Sequence, residues 1–212
     1  YALTPDPARH EAMAALLRRT RDLGDVAVTG DVEEDQERLG VALGPHLAEG
    51  AFAVVLGGGH ETAYGHFLAQ VDAGFAPRIL NWDAHPDVRE LREGRAHSGS
   101  PFRQALLHAS GGCRGYRVAG LQPSSTARDH LAFVKEHGGG WRWRSELDGP
   151  AVEEEYRELD PPAMVSFDLD AVDGAHAPGV SAPATDGLPP RIWLEAAEAA
   201  GRTPAVRSVD VV

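Results

Sequence analysis

The sequence predicts an α/β fold in which a mainly parallel sheet is covered by helices on both faces. Segments with apolar residues at helical spacing alternate along the chain with short apolar runs. Those runs are continuous rather than alternately apolar and polar, as in strands buried on both faces. Three of them end directly in carboxylate and imidazole side chains, where parallel sheets gather their ligands.

In chain order, helical spacing covers residues 8–23 and 35–47. A first strand is expected at 52–56, a helix at 63–73 and a second strand at 78–82. A strand at 116–121 and a helix at 125–137 follow. The remaining expected elements are a strand at 163–168, a helix at 191–200 and a strand at 206–212. Gly138-Gly139-Gly140 reads as a surface loop, and Glu153-Glu154-Glu155 as the solvated start of a helix. No repeat, low-complexity tract or linker divides the sequence, so residues 1–212 are expected to form a single domain.

With 212 residues and 42% hydrophobic content, the chain is long enough to bury a sizeable core. No apolar run approaches the roughly 20 residues of a membrane span. Tyr1-Ala2-Leu3-Thr4-Pro5 lacks the basic start and apolar middle of a secretory signal. One cysteine, Cys113, excludes an internal disulfide and a thiolate metal cluster, and a reducing cytoplasm is the expected setting. The formal charge of −12 argues against nucleic acid or an anionic membrane as partner. Bound cations would neutralise part of it.

The strongest chemical signal is Asp83-Ala84-His85-Pro86-Asp87, placed directly after Ile79-Leu80-Asn81-Trp82. Three potential metal ligands in five residues at the end of a buried strand exceed any packing need. His60, at the end of Leu56-Gly57-Gly58-Gly59-His60, and the pair Asp168 and Asp170 occupy equivalent positions after two other strands. Four carboxylates able to bridge, with two imidazoles to cap, suit two divalent ions. Such a pair can share a water and lower its pKa toward neutrality, creating a nucleophilic hydroxide. An oxygen-rich set without sulfur favours Mn²⁺.

These blocks resemble those of the ureohydrolases, the family of arginase, agmatinase and formimidoylglutamase. The resemblance rests on Gly57-Gly58-Gly59-His60, on Asn81-Trp82-Asp83-Ala84-His85-Pro86-Asp87, and on Ser166-Phe167-Asp168-Leu169-Asp170-Ala171-Val172-Asp173 with Ala177-Pro178-Gly179-Val180-Ser181 following. It implies a three-layer αβα, arginase-like fold and two Mn²⁺ ions per subunit held by His60, Asp83, His85, Asp87, Asp168 and Asp170. It also implies hydrolysis of an amidine or guanidine C–N bond by a metal-bridging hydroxide, with Asp87 and Asp170 among the catalytic residues. Homo-oligomers are common in the family.

Finer motifs resemble formimidoylglutamase: Gly59-His60-Glu61-Thr62-Ala63-Tyr64-Gly65-His66, and Ser98-Gly99-Ser100-Pro101-Phe102-Arg103-Gln104. Arginases and agmatinases carry a proton-shuttling histidine at the position of Ser98. Here either Ser98 hydrogen-bonds substrate or water, or His97 supplies the acid or base. The implied reaction converts N-formimidoyl-L-glutamate to glutamate and formamide in histidine degradation, with Arg89 and Arg103 placed to take the substrate carboxylates. The alternatives are an agmatinase or guanidino-acid ureohydrolase releasing urea, and a catalytically inactive metal-binding homologue.

His66, six residues after His60, is expected to pack its helix and point away from the metal. Gly174 stands where the family commonly has proline, a change in loop stiffness. Against the family pattern, the chain is expected to be partial. Family members carry a further strand, helix and loops before the glycine-rich strand, and a substrate-contacting glutamate at the position after Val212.

Overall fold

The computed structural model describes residues 6–212, and among them six strands pair in one all-parallel sheet. In chain order they are β1 (Ala53–Leu56), β2 (Arg78–Trp82), β3 (Gly115–Leu121), β4 (Gly140–Trp143), β5 (Ala163–Phe167) and β6 (Val206–Val211). Across the sheet the order is β1-β6-β5-β2-β3-β4. Seven α-helices accompany them among the described residues: α1 (Pro7–Arg19), α2 (Val32–Ala48), α3 (Thr62–Asp72), α4 (Pro101–Leu106), α5 (Arg128–Glu136), α6 (Gly149–Arg157) and α7 (Pro190–Arg202).

Alternation along each central strand sends neighbouring residues to opposite layers. Leu80, Ala119 and Val165 join Val152 and Tyr156 of α6 and Ile192 and Ala196 of α7 in one core. Ile79, Val118 and Met164 join Phe67 of α3, Phe102 of α4 and Val134 of α5 in the other. A third cluster fastens α2 to α3 and β1 through Leu43, Leu47, Ala69 and Ala53. The arrangement is the expected three-layer αβα. β5 is buried at every position, which explains its unbroken apolar run Ala163-Met164-Val165, while edge strand β1 leaves Val54 and Leu56 exposed.

The connections fix where a ligand can sit. From β2 the chain continues to its neighbour β3, whereas from β5 it continues to β6 on the other side. The carboxyl ends of β2 and β5 therefore flank the point where strand order reverses, the crevice that open α/β sheets use for binding.

Several boundaries differ from the sequence expectation. α1 ends at Arg19 rather than residue 23, because Thr20 bonds Leu16 O and Asp22 accepts from Gly24 N, local bonds that compete with helix. α2 starts at Val32 because Asp31 caps it by accepting from Glu34 N, and its acidic first turn carries no apolar period to count. Two short elements, α4 and β4, have too few residues to declare a period; α6 starts ahead of the expected Glu153-Glu154-Glu155, where Asp148 caps it by accepting from Ala151 N, and Gly140, expected in a loop, begins β4.

The glutamate run is corrected as well. It lies in the body of α6, and Glu155 is 1% exposed. Its carboxylate takes Arg117 from β3 and Arg142 from β4, and this double pairing is what makes a buried charge tolerable there. No helix among the described residues is long and apolar enough to cross a membrane.

Candidate metal centre

Register brings the first two carboxylates together. Trp82 of β2 faces Phe167 of β5, so the next residues, Asp83 and Asp168, emerge side by side, tied by the Asp168 N–H donating to Trp82 O at 3.0 Å. Both loops then fold in the same way. The N–H of His85 donates to Asp83 Oδ1 at 2.7 Å and the N–H of Asp170 to Asp168 Oδ1 at 2.9 Å, two Asx turns that lock one oxygen of each aspartate. Asp87 adopts φ 42°, a left-handed conformation that aspartate tolerates better than most residues, at a turn where Tyr116 OH donates to Pro86 O.

His60 arrives from the glycine-rich loop after β1. Gly57 donates to Val211 O, and a Cβ there would lie 2.9 Å from side-chain carbons of both Thr62 and Val212, so a larger residue would displace the loop. The His60 ring stands edge-on to Phe102 at 5.1 Å between centroids.

The six residues form two groups whose candidate ligand atoms lie within 4.8 Å of one another: His60, Asp83, Asp87 and Asp168, and Asp83, His85 and Asp170. Asp83 belongs to both. His60 Nδ1 has Asp87 Oδ2 at 2.9 Å, Asp168 Oδ2 at 3.0 Å and Asp83 Oδ2 at 3.2 Å. One ring nitrogen carries at most one proton and cannot satisfy three carboxylates, and none of the three makes a well-directed hydrogen bond to it. Four donor atoms converging without hydrogen-bond geometry are arranged to surround a cation. In the second group His85 Nδ1 lies 3.1 Å from Asp170 Oδ2 and 3.4 Å from Asp83 Oδ1, and Asp170 Oδ1 has no hydrogen-bond partner. The donor set, oxygen-rich with two imidazoles, fits two hard-to-borderline divalent ions.

Electrostatics describe the same crowding. Hydrogen bonding to Asp170 and then Asp83 drives the His85 imidazole up to about 11. Burial opposes charge on His60, yet Asp168, Asp83 and Asp87 together hold it well above the ordinary histidine value. Burial pushes Asp170 up to about 7, reinforced by Asp83 and Asp168. Asp87 is raised by burial and then by the charge of Asp83. Burial disfavours charge on Asp83 also, but the two imidazoles outweigh it and its carboxyl is lowered.

A second set of residues supports the ligands. Asn81 Nδ2 donates to Asp83 Oδ2 at 2.9 Å, and Ser166 Oγ lies 2.9 Å from His60 Nε2. Both were inside the quoted motifs without an assigned role. The available signal was a polar residue two positions before a ligand, hence on the same face, within a strand that is otherwise apolar.

The remaining sequence candidates lie on the segment that leaves Asp87. His97 accepts from Gly99 N through Nδ1 at 3.1 Å, and its Nε2 lies 3.0 Å from Glu90 O, so both ring nitrogens are engaged by backbone. Ser98 is exposed. Arg103 donates to Val88 O and Glu90 and stacks 4.2 Å over Phe133. Arg89 lines an open cleft with Arg103, His97 and His130 that none of the six candidate ligands lines, and among the described residues its guanidinium makes no hydrogen bond. His66 packs α3, as expected, but through polar bonds to Asp210 and Ser208 of β6.

A sequence model of the arginase family matches residues 7–212. The formimidoylglutamase of Chromobacterium violaceum is 36% identical over 178 residues, covering 79% of this chain and 57% of that protein. That of Rhodococcus jostii is 40% identical over 190 residues, covering 81% and 57%. The chain thus spans little more than half the length of the curated relatives it matches. Among solved structures, Trypanosoma cruzi formiminoglutamase with Mn²⁺ superposes with a TM-score of 0.84 at 32% identity, over 90% of this chain and 66% of that one. The proclavaminate amidino hydrolase of Streptomyces clavuligerus gives 0.77 at 27%, over 90% and 65%.

Proposed function

The chain belongs to the arginase family, and on that premise we propose that it is the metal-binding part of a hydrolase that cleaves the formimidoyl C–N bond of N-formimidoyl-L-glutamate, giving glutamate and formamide in histidine degradation. The observation that carries the proposal is the convergence of His60, Asp83, Asp87 and Asp168 on one point and of Asp83, His85 and Asp170 on another.

His60, Asp83, Asp87 and Asp168 would hold one Mn²⁺, and Asp83, His85 and Asp170 the second, Asp83 serving both. When bound, such a pair supplies an acidified water and a Lewis acid toward the amidine. The protein's own groups do the rest. Asp170 Oδ1, buried and without a partner, is available to accept a hydrogen bond from the reacting amidine or water. Ser98, exposed after Asp87 and its loop, suits the orienting role better than His97, whose ring nitrogens are engaged by backbone. Arg89, with its guanidinium uncommitted, is the better candidate for a substrate carboxylate, while Arg103, committed to Val88 O and Glu90, steadies the backbone beside Asp87.

The net charge of −12 and the single Cys113 support a cytoplasmic enzyme of a small metabolite rather than of nucleic acid or membrane. The single sheet supports reading the chain as one domain, and a homo-oligomer is in keeping with the family.

The test is formamide release, followed by NMR, from N-formimidoyl-L-glutamate with Mn²⁺-loaded full-length protein, with agmatine and arginine assayed for urea in parallel. Chelator-sensitive formamide is the expected result. Urea without formamide would replace the substrate, and no product with two ions bound would make the protein an inactive homologue.

A further inference from the structure

One buried polar chain lies behind the metal centre and is not used by the proposed chemistry. Asp210 of β6 pairs in register with Ser166 of β5, and its Oδ1 takes Ser166 Oγ at 2.5 Å. Its other oxygen, Oδ2, faces His66 Nδ1 of α3 at 2.6 Å. His66 Nε2 meets Ser208 Oγ, which also receives Gln70 Nε2. All five residues are fully buried, with 0% exposure, as Ser166 reaches forward to His60 Nε2.

A buried carboxylate must be compensated, and hydrogen-bond polarity then has one consistent sense. Asp210 accepts on both oxygens, so Ser166 must give its proton to Asp210. Ser166 Oγ is left as an acceptor, and only a protonated His60 Nε2 can donate to it. In the neutral ring that a bound cation requires, His60 Nδ1 then presents a lone pair to the point shared with Asp83, Asp87 and Asp168. From the other end, Gln70 donates to Ser208, Ser208 to His66 Nε2, and His66 Nδ1–H to Asp210, so every hydrogen bond in the run points toward that carboxylate.

We propose that Asp210 and His66 form a positioning pair that, through Ser166, fixes His60 in the Nε2–H tautomer and so aims Nδ1 at the cation. The inference rests on the proposed metal centre and gives it a third layer, reaching from helix α3 across strands β6 and β5 on one face of the sheet. His66 is on this account more than a packing residue. It supplies the partner that holds the second Asp210 oxygen in place.

The test is a Mn²⁺ titration of full-length protein by electron paramagnetic resonance of the free ion, in wild type, H66F, H66N and D210N. Outer partners of a histidine ligand typically change metal affinity roughly ten- to a hundredfold. H66F, which leaves one Asp210 oxygen unpaired, and D210N, which can turn a donor toward Ser166, should each weaken one of two ions by that factor. H66N should restore it, because the asparagine amide nitrogen superposes on Nδ1.

Two ions bound with unchanged affinity in H66F and D210N would overturn the inference and leave the proposed function standing. No ion in wild type would remove both. Should the variants fail to fold, the tautomer is read in wild type loaded with diamagnetic Zn²⁺. Two-bond ¹⁵N–¹H correlations should place the His60 proton on Nε2, and a proton on Nδ1 would overturn the inference.

Discussion

Asn81 and Ser166 are register partners across β2 and β5, each two residues ahead of a site aspartate and each bonded to a different candidate ligand. Asn81 holds Asp83, the residue common to both groups, and Ser166 holds His60. The next partner along the row is Asp210 of β6. A buried polar row thus crosses three adjacent strands one layer beneath the ligands, and its members are paired with ligands or with each other.

The division of labour around Asp83 gives a stoichiometric prediction. Asp83→Asn removes charge from both groups, whereas His85→Ala touches only the group with Asp170. Isothermal titration with Mn²⁺ should find both ions weakened in the first variant and one tightly bound ion retained in the second. Equal loss in the two would mean that the ions do not share Asp83.

Metal removal should destabilise the protein. Four carboxylates gather around two imidazoles, and burial with mutual repulsion already raises Asp87 and Asp170. Cations that bind only the folded state add about 2.7 kcal/mol when present at about 100 times their Kd. Thermal unfolding should shift downward in chelator and recover with Mn²⁺, and a chelator-insensitive midpoint would argue that the groups hold no ion.

Much of this architecture was legible in the sequence because long elements declare a period and ligands stand next to apolar strands. Residues 78–82, followed by Asp83, His85 and Asp87, needed only the rule that ligands gather at strand carboxyl ends. Glu155 was not legible, since its two arginine partners lie 38 and 13 positions away on β3 and β4. Nor was the bond between His66 and Asp210, 144 positions apart, which exists only once β6 inserts between β1 and β5. Short elements such as β4 and α4 were hidden for want of period.

Gly120 is a backbone requirement of the centre. It sits at a register shift between β3 and β4 with φ 111°, and a Cβ there would lie 3.0 Å from Asp83 O. Gly120→Ala should cost about 1–3 kcal/mol from the disfavoured backbone region alone. Because the added methyl presses on the residue shared by both ions, Mn²⁺ affinity should fall with stability. Unfolding midpoints and titration on the same sample check this, and an alanine accepted without change in either would mean that the bulge does not brace Asp83.

The two arginines should separate kinetically. Arg89→Ala is expected to raise KM for a dicarboxylate substrate with less effect on kcat, as for the loss of a contact made equally in ground and transition states. Arg103→Ala removes donors to Val88 O and Glu90 and a ring contact with Phe133, so it should lower stability and disturb the Asp87 turn. Steady-state kinetics with unfolding curves distinguish them. A KM effect confined to Arg103→Ala would reverse the assignment.

Cys113 tests whether the one thiol takes part in chemistry. Burial pushes it up to about 11, and the weak bond from its Sγ to Gly115 O only partly offsets that. A raised pKa leaves less thiolate at a given pH, so the sign is toward inertness near neutrality and reactivity only in alkali. Against a free thiol of pKa near 8.5, the thiolate population at about pH 8 is lower by roughly two hundredfold, and iodoacetamide labelling of the folded protein should be slower by a similar factor. Urea should abolish the difference, since unfolding removes the burial that causes it. Labelling as fast in the folded protein as in urea would show an accessible, reactive Cys113.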